Sequence, residues 1–142
     1  MRIPIITSLT ALLVLTGGAG SALAADAQAP GQAVNLRLTA KVRAALVDTY
    51  VYERKGEITR SKVDGPTDVY YGKITGTTRA KDVYWAVGSI STKGELITYQ
   101  GGPHVWRKNG NGAWRYVGNS GGCPEVSRKL LRLWKRTDLI CD

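Results

Sequence analysis

The hydrophobic pattern of the chain begins with an apolar run near the N-terminus. Residues 5–15 are almost all apolar; the basic residue Arg2 precedes them and the small-residue stretch 21–24 follows. A basic start, an apolar segment of about a dozen residues and an A-x-A site are typical of a secretory signal peptide. The run is short for a membrane-spanning helix, which needs roughly 20 apolar residues. The sequence therefore predicts a signal peptide over residues 1–24, cleavage near Ala24 and a secreted, extracellular protein with no transmembrane segment in its mature form. An uncleaved N-terminal anchor is the alternative.

A helical pattern follows a segment without periodicity. Residues 25–35 are rich in Ala, Gln, Gly and Pro, which predicts a disordered lead-in to a single domain over residues 36–142. Positions on one helical face then recur at spacings of three and four: Leu38, Val42, Ala45, Leu46, Thr49 and Tyr50. This spacing predicts an amphipathic helix over residues 39–53 with Thr39 as its N-cap.

After Asp68 the composition changes to β-branched and aromatic residues separated by glycine-rich links. Five segments share this composition: 69–75, 83–90, 96–100, 104–107 and 113–118. Links of a few residues join antiparallel neighbours, because parallel neighbours need crossovers of about a dozen residues or more. We therefore expect a five-stranded antiparallel β-meander, preceded by a connecting loop over residues 57–67.

The C-terminal part predicts a second helix. Pro124 suits the first turn of a helix over residues 124–136, and an apolar stripe runs along it through Val126, Leu130, Leu133 and Trp134. The predicted fold class is α+β, with an N-terminal helix, a five-stranded antiparallel β-meander and a C-terminal helix. The helices are expected to cover one face of the sheet.

Two cysteines, Cys123 and Cys141, lie close to the C-terminus. In an oxidising compartment two lone cysteines normally pair, and closure of such a loop stabilises a protein by roughly 3 kcal/mol in the chain-entropy model. With no histidine nearby in sequence, the two thiols make a poor zinc set. The sequence predicts one structural disulfide and neither a metal site nor a cofactor.

The chain is strongly basic, with 20 Lys and Arg residues against 11 Asp and Glu residues and a formal net charge of +9. The signal peptide carries only one of these charges, so the mature chain keeps a net charge of about +8. Outside a cell, excess positive charge favours polyanions such as anionic wall polymers, acidic polysaccharides, nucleic acid or anionic lipid surfaces. Candidate ligand-binding residues lie on the polar side of the predicted C-terminal helix and on the last two strands: Arg128, Lys129, Arg132, Lys135, Arg136, Arg107 and Arg115. A merely solvated helix face is the alternative.

His104 is the only histidine, and hence the only side chain with an unperturbed pKa near neutrality. A hairpin that turns around Gly110 would place His104 opposite Tyr116, with Arg107 and Arg115 on the other face of the sheet. A histidine can act as general acid or base in small secreted ribonucleases that combine it with a glutamate and arginines. Here no glutamate falls on a predicted strand, so we interpret His104 as structural and assign no catalytic residue. A secreted hydrolase that uses His104 with Arg107 or Arg115 is the alternative, and a carboxylate beside His104 in the fold would favour it.

Four tryptophans and seven tyrosines, without any phenylalanine, make the chain rich in rings with a polar edge. Such rings suit half-wet binding surfaces, and they also form cores. In the same hairpin register Trp106 faces Trp114. The sequence leaves open whether these two and Trp85 are core or exposed. An exposed apolar patch near Trp85 would indicate an exported inhibitor or protein-binding module, whose partner is unknown.

Several aromatic and glycine positions resemble those of a known group of proteins. They are Tyr70-Tyr71-Gly72, Tyr84-Trp85-Ala86, Pro103-His104-Val105-Trp106, Gly112-Ala113-Trp114, Leu130-Leu131 and Trp134. The pattern resembles small secreted proteins of unknown function from high-GC Gram-positive bacteria, which implies secretion and a single domain but no activity. Taken together, these observations favour a small secreted basic binding protein whose ligand is an anionic extracellular or cell-envelope polymer.

Overall fold

A five-stranded antiparallel sheet forms the centre of the structure, a computed structural model that describes residues 28–119 and 125–140. The strands follow one another in sequence order across the sheet. The elements are β1 (Ala33–Asn35), α1 (Ala40–Glu53), β2 (Val63–Ile74), β3 (Val83–Thr92), α2 (Leu96–Gln100), β4 (His104–Asn109), β5 (Arg115–Asn119) and α3 (Arg128–Leu133). The predicted α+β class and five-stranded antiparallel sheet are confirmed.

Helix α1 forms where the periodic pattern placed it. The hydroxyl of Thr39 accepts a hydrogen bond from the Val42 N–H at 3.2 Å, so the predicted N-cap is confirmed. The helix buries Leu46 and Tyr50 against the sheet. The indole N–H of Trp106 on β4 donates to the Leu46 carbonyl at 3.1 Å, which ties the helix to this strand.

Helices cover both faces of the sheet, so the expectation of one covered face is wrong. We call face one the side that packs against α1, with Leu46, Ala86 and Trp106 in its core, and face two the side that packs against α3, with Trp85 and Leu130 in its core. Consecutive residues of β3 are apolar and buried on alternate sides. Such a strand needs apolar cover on both faces, which a single layer of helices does not supply.

Two segments form secondary structure that differs from the prediction. Leu96–Gln100, predicted as a strand, forms helix α2, because the Thr98 hydroxyl closes a turn by donating to the Glu95 carbonyl at 2.7 Å and accepting from the Thr92 N–H at 2.9 Å. The sheet instead gains β1, whose residues were assigned to the disordered lead-in. β1 pairs with β2 along its free edge, with Val34 opposite Lys73.

Strand β2 is longer than predicted and α3 is shorter. β2 begins at Val63, inside the expected loop, and its pairing with β3 shifts register on both sides of Thr67. α3 covers only six residues of the predicted 124–136 helix. No helix within residues 28–119 and 125–140 is long and apolar enough to cross a membrane. The signal peptide over residues 1–24 and the disulfide between Cys123 and Cys141 lie outside the described residues and stay predictions.

The register of the β4–β5 hairpin differs from the expected one. Trp106 is opposite Tyr116 instead of Trp114, and Arg107 is opposite Arg115. The link between the strands covers residues 110–114, so it is longer than a tight turn around Gly110. A further register shift after Val105 places His104 opposite Asn119, in the manner of a β-bulge. The predicted Trp106–Trp114 cross-strand pair is therefore wrong.

Candidate functional site: an arginine cleft on face two

Two arginines lie directly opposite each other at the exposed part of face two. Arg107 on β4 and Arg115 on β5 are register partners, and both side chains are exposed. The Arg107 guanidinium lies 4.9 Å from the centre of the Trp85 ring, which is a cation–π distance. Both arginines and Trp85 line an open cleft of about 290 Å³, together with Asn109, Val117 and Glu125.

The arginine pair has no acidic partner among the described residues. Neither Arg107 nor Arg115 forms a salt bridge or a hydrogen bond there. Like charges directly opposite each other on antiparallel strands destabilise a sheet. The fold therefore concentrates positive charge in the cleft at a cost in stability, and this arrangement favours an anion between or above the two guanidinium groups.

Two of the C-terminal cations form contacts within the protein that the sequence did not indicate. The Lys129 ammonium donates to the Gly31 carbonyl at 2.7 Å. Arg136 forms a forked pair with Asp138, in which its Nη2 atom donates to one carboxylate oxygen at 2.8 Å and its Nε atom to the other at 2.9 Å. Its guanidinium also lies 5.3 Å from the centre of the Tyr70 ring. The hydrogen bond to Asp138 raises the pKa of Arg136 above its usual value. These contacts tie two of the five cations to the fold.

The remaining C-terminal cations do not form one helical face. Arg128 and Arg132 are exposed on α3, whereas Lys135 follows the helix in a left-handed conformation with φ of 57°. The prediction of five cations on one helical face is wrong, because α3 ends at Leu133, before Lys135 and Arg136. The structure brings Arg107 and Arg115 together on β4 and β5, whereas α3, which carries Arg128, Lys129 and Arg132, packs against β1 and β2.

His104 lies on face one, away from both arginines of the cleft. The predicted cross-strand pair of His104 with Tyr116 is wrong, because His104 is opposite Asn119, but its Nδ1 atom still lies 2.6 Å from the Tyr116 hydroxyl. The Tyr50 ring of α1 packs edge-on against His104 at 5.7 Å. Burial lowers the pKa of His104 to about 4 and raises the pKa of Tyr116 to about 12. At neutral pH the imidazole is uncharged.

A carboxylate shares a cavity with His104, which sequence reasoning missed. Glu53 and Arg54, from the last turn of α1 and its C-cap, line a cavity of about 410 Å³ that also contacts His104 and Tyr116. The helical pattern gave no signal of this, because tertiary packing alone brings the end of α1 to β4 and β5. Arg107 projects from face two, so it does not share this cavity with His104.

The tryptophans lie in the core or pack against it. Trp106 is fully buried, Trp85 is 7% exposed and Trp114 is partly buried. Five large apolar side chains are exposed among the described residues: Tyr52, Leu96, Ile97, Val117 and Leu133. Of these five, Val117 lines the cleft together with Trp85, and the protein-binding module stays a prediction.

Within the described residues no cluster of three or more His, Cys, Asp or Glu side chains is placed to hold a metal ion. Comparison with protein-family models, with curated proteins and with solved structures finds no match. The resemblance to small exported proteins of high-GC Gram-positive bacteria thus stays a prediction.

Proposed function

We propose that the protein binds an anionic polymer through the face-two cleft, where Arg107 and Arg115 contact its phosphate, sulfate or carboxylate groups. One observation carries the proposal: two exposed guanidinium groups share an open cleft, directly opposite each other, without an acidic partner among the described residues. The signal peptide predicted over residues 1–24 makes the polymer an extracellular or cell-envelope one.

The cleft suits repeated anionic groups. Guanidinium forks bind phosphate and carboxylate groups in a bidentate manner, with charge-assisted hydrogen bonds about twice as strong as neutral ones. The stack on Trp85 restrains Arg107 before binding, which reduces the entropy that binding must remove. Exposed Arg132 and Lys135 add longer-range attraction for a chain of anions. The carboxylate of Glu125, which also lines the cleft, repels anions, so the attraction from the two arginines has to exceed this repulsion.

Calorimetric titration at low ionic strength tests the proposal. The purified protein is titrated with heparin, a poly(glycerol phosphate) teichoic acid and short duplex DNA, with dextran as a neutral polymer. We expect saturable binding of anionic polymers only. R107Q/R115Q should weaken it by about a hundredfold or more, since it removes two charge-assisted interactions of about 1.5 kcal/mol or more each.

A charge-matched variant separates the cleft from net charge. R37Q/K41Q removes two exposed cations ahead of and at the start of α1, outside the cleft. We expect its affinity to stay within about threefold of the wild-type value, because it loses only long-range attraction. Equal losses in both double variants would overturn the assignment to the cleft. Failure of every anionic polymer to bind would overturn the function itself.

A further inference from the structure

Glu125 places a carboxylate in the arginine cleft of face two. Its neighbour Val126 is 8% exposed and belongs to the core of face two, so the backbone before it is held at the wall of the cleft. The Glu125 side chain is exposed and lines the cleft together with Arg107 and Arg115. The cleft therefore presents two positive groups and one negative group to the same ligand.

These three charged groups share one cleft without forming ion pairs with each other. Among the described residues, Glu125 forms neither a salt bridge nor a hydrogen bond, and the same holds for both arginines. An exposed pair of arginine and glutamate stabilises a protein only slightly, so leaving it unformed costs little stability. All three groups are therefore available to contact one ligand at the same time.

The carboxylate restricts which anions the cleft accepts well. An ionised carboxylate only accepts hydrogen bonds, and it repels a ligand oxygen that carries negative charge. A bare phosphate chain offers Glu125 no donor, so repulsion cancels part of the attraction from Arg107 and Arg115. A ligand that carries a donor group beside its phosphate forms a hydrogen bond with the same carboxylate. A site distinguishes two ligands in this way when one of them leaves a charged group unpaired.

A hydroxyl group satisfies Glu125 better than an ammonium group does. The donor must lie close to the two guanidinium groups, since one cleft of about 290 Å³ is lined by all three side chains. An ammonium group there is repelled by Arg107 and Arg115, and also by the strongly positive net charge of the chain. A hydroxyl group carries no net charge, so it donates to the carboxylate without this repulsion.

The remaining walls of the cleft suit a small polyol. Side chains alternate along a strand, so Asn109 lies on the same face of β4 as Arg107. The Asn109 amide both donates and accepts hydrogen bonds, so it serves a hydroxyl group or a phosphate oxygen. Val117 of β5 is 46% exposed and offers apolar contact to a short carbon chain. The volume of about 290 Å³ is small for a ligand site, which fits one small repeat unit of a polymer.

We propose that the cleft selects a polyol phosphate, an anionic polymer whose repeat unit carries a hydroxyl group next to its phosphate. The phosphate accepts hydrogen bonds from Arg107 and Arg115, and the hydroxyl group donates to Glu125. Because the phosphate has to bind the arginine pair, this selection rests on the proposed function. Glu125 adds a preference among anionic polymers to the attraction that the arginines supply.

Two synthetic oligomers of equal length test the role of the hydroxyl group. Oligo(glycerol phosphate) carries a hydroxyl group on each repeat unit, whereas oligo(trimethylene phosphate) has the same charge and spacing but lacks these hydroxyl groups. Calorimetric titration at one fixed, low ionic strength measures both affinities. We expect the wild-type protein to prefer oligo(glycerol phosphate) by about tenfold, the effect of one hydrogen bond to a charged group.

An exposed substitution assigns the preference to Glu125. In E125A the affinity for oligo(trimethylene phosphate) should rise, because a repulsive charge is removed, and the affinity for oligo(glycerol phosphate) should fall, because a hydrogen bond is lost. The two oligomers should then bind about equally. E53A is the matched control, since it removes an exposed carboxylate outside the cleft, and it should keep the tenfold preference of the wild type.

The outcomes separate the preference from the proposed function. Equal affinity of the wild type for both oligomers, or an unchanged preference in E125A, would overturn selection by Glu125 and leave the arginine cleft in place. A rise of both affinities in E125A would mean that Glu125 only repels anions, which also overturns the selection. Failure of both oligomers to bind the wild type would overturn the proposed function, and the preference with it.

Discussion

The two polar sites of this protein treat charge in opposite ways. In the face-two cleft, two guanidinium groups remain exposed and charged, opposite each other and without an acidic partner among the described residues. In the face-one cavity, His104 is only 5% exposed and uncharged at neutral pH, because burial lowers its pKa. Solvation explains the difference, since water stabilises exposed charges that a protein interior does not.

Exposed charged groups and buried neutral groups act on a ligand over different distances. Exposed charges act over several ångströms and favour any anionic partner, with a strength that depends on salt. A buried neutral polar group acts only at contact, through the geometry of its hydrogen bonds. The packed side of face one and the exposed cleft of face two should therefore respond differently to substitution and to pH.

The largest expected effect comes from the core of face one. Trp106 is fully buried beneath α1, and its indole N–H donates to the Leu46 carbonyl. We expect Trp106→Ala to lower the free energy of unfolding by about 3–5 kcal/mol, measured by urea denaturation. The comparison is Arg107→Gln, an exposed change that should alter it by less than about 0.5 kcal/mol. Comparable losses in the two variants would contradict the contrast between a packed face one and an exposed cleft on face two.

A pH-dependent loss of stability should follow from His104. The pKa of His104 is about 4 in the folded protein, below the ordinary histidine pKa of 6.5, so below pH 6.5 the unfolded state binds a proton that the folded state does not. Stability should fall as the pH drops from about 6.5 to about 4, by at most about 3 kcal/mol, and this contribution should then level off. Urea denaturation across this range measures the loss. An imidazole that titrates near pH 6.5 in the folded protein, observed by NMR, would contradict the buried neutral state.

Asp82 acts in a lower pH range and can be distinguished from His104. Burial raises the pKa of Asp82, but hydrogen bonds from the Lys73 ammonium and the Gly76 N–H outweigh this effect, so the pKa lies below the ordinary aspartate value of 3.8. The ionised carboxylate therefore contributes stability above pH 3.8, which is lost as the pH falls further. The His104 loss is nearly complete before this second loss begins.

The smallest expected effect is a gain in stability. Arg115 faces a like charge across the hairpin, so Arg115→Thr should raise the free energy of unfolding by about 0.2–1 kcal/mol while it weakens anion binding. Arg136→Gln is the control, because it removes a forked pair with Asp138 and should lower stability. Thermal denaturation measures both. A loss of stability in Arg115→Thr would mean that the arginine pair supports the fold.

Local features explain what the sequence predicted correctly. Helix α1 and its Thr39 cap depend on spacing and on one hydrogen bond between neighbours in sequence. The sequence also placed His104 and Tyr116 on the same face of adjoining strands, which is correct, although the two are not cross-strand partners. Segment 96–100 was misassigned because a short apolar run fits a strand or a helix, and the Thr98 side chain decides the outcome.

Long-range packing explains what the sequence could not predict. β1 has only three residues and no alternating pattern, and it forms because the edge of β2 is free. The opposition of Arg107 and Arg115 depends on the five-residue link between their strands, which composition does not reveal. Glu53 and Arg54 reach the His104 cavity only because α1 crosses face one. The fold class was therefore readable from local patterns, whereas both sites depend on register and packing.

The salt dependence of anion binding tests the central claim most directly, namely that Arg107 and Arg115 together contact the polymer. For duplex DNA, log K falls against log salt concentration with a slope of about −0.9 for each phosphate contact. We predict that R107Q/R115Q makes this slope shallower by about 1.8, the loss of two contacts, and that R37Q/K41Q leaves it unchanged. Equal slopes for wild type and R107Q/R115Q would contradict the claim.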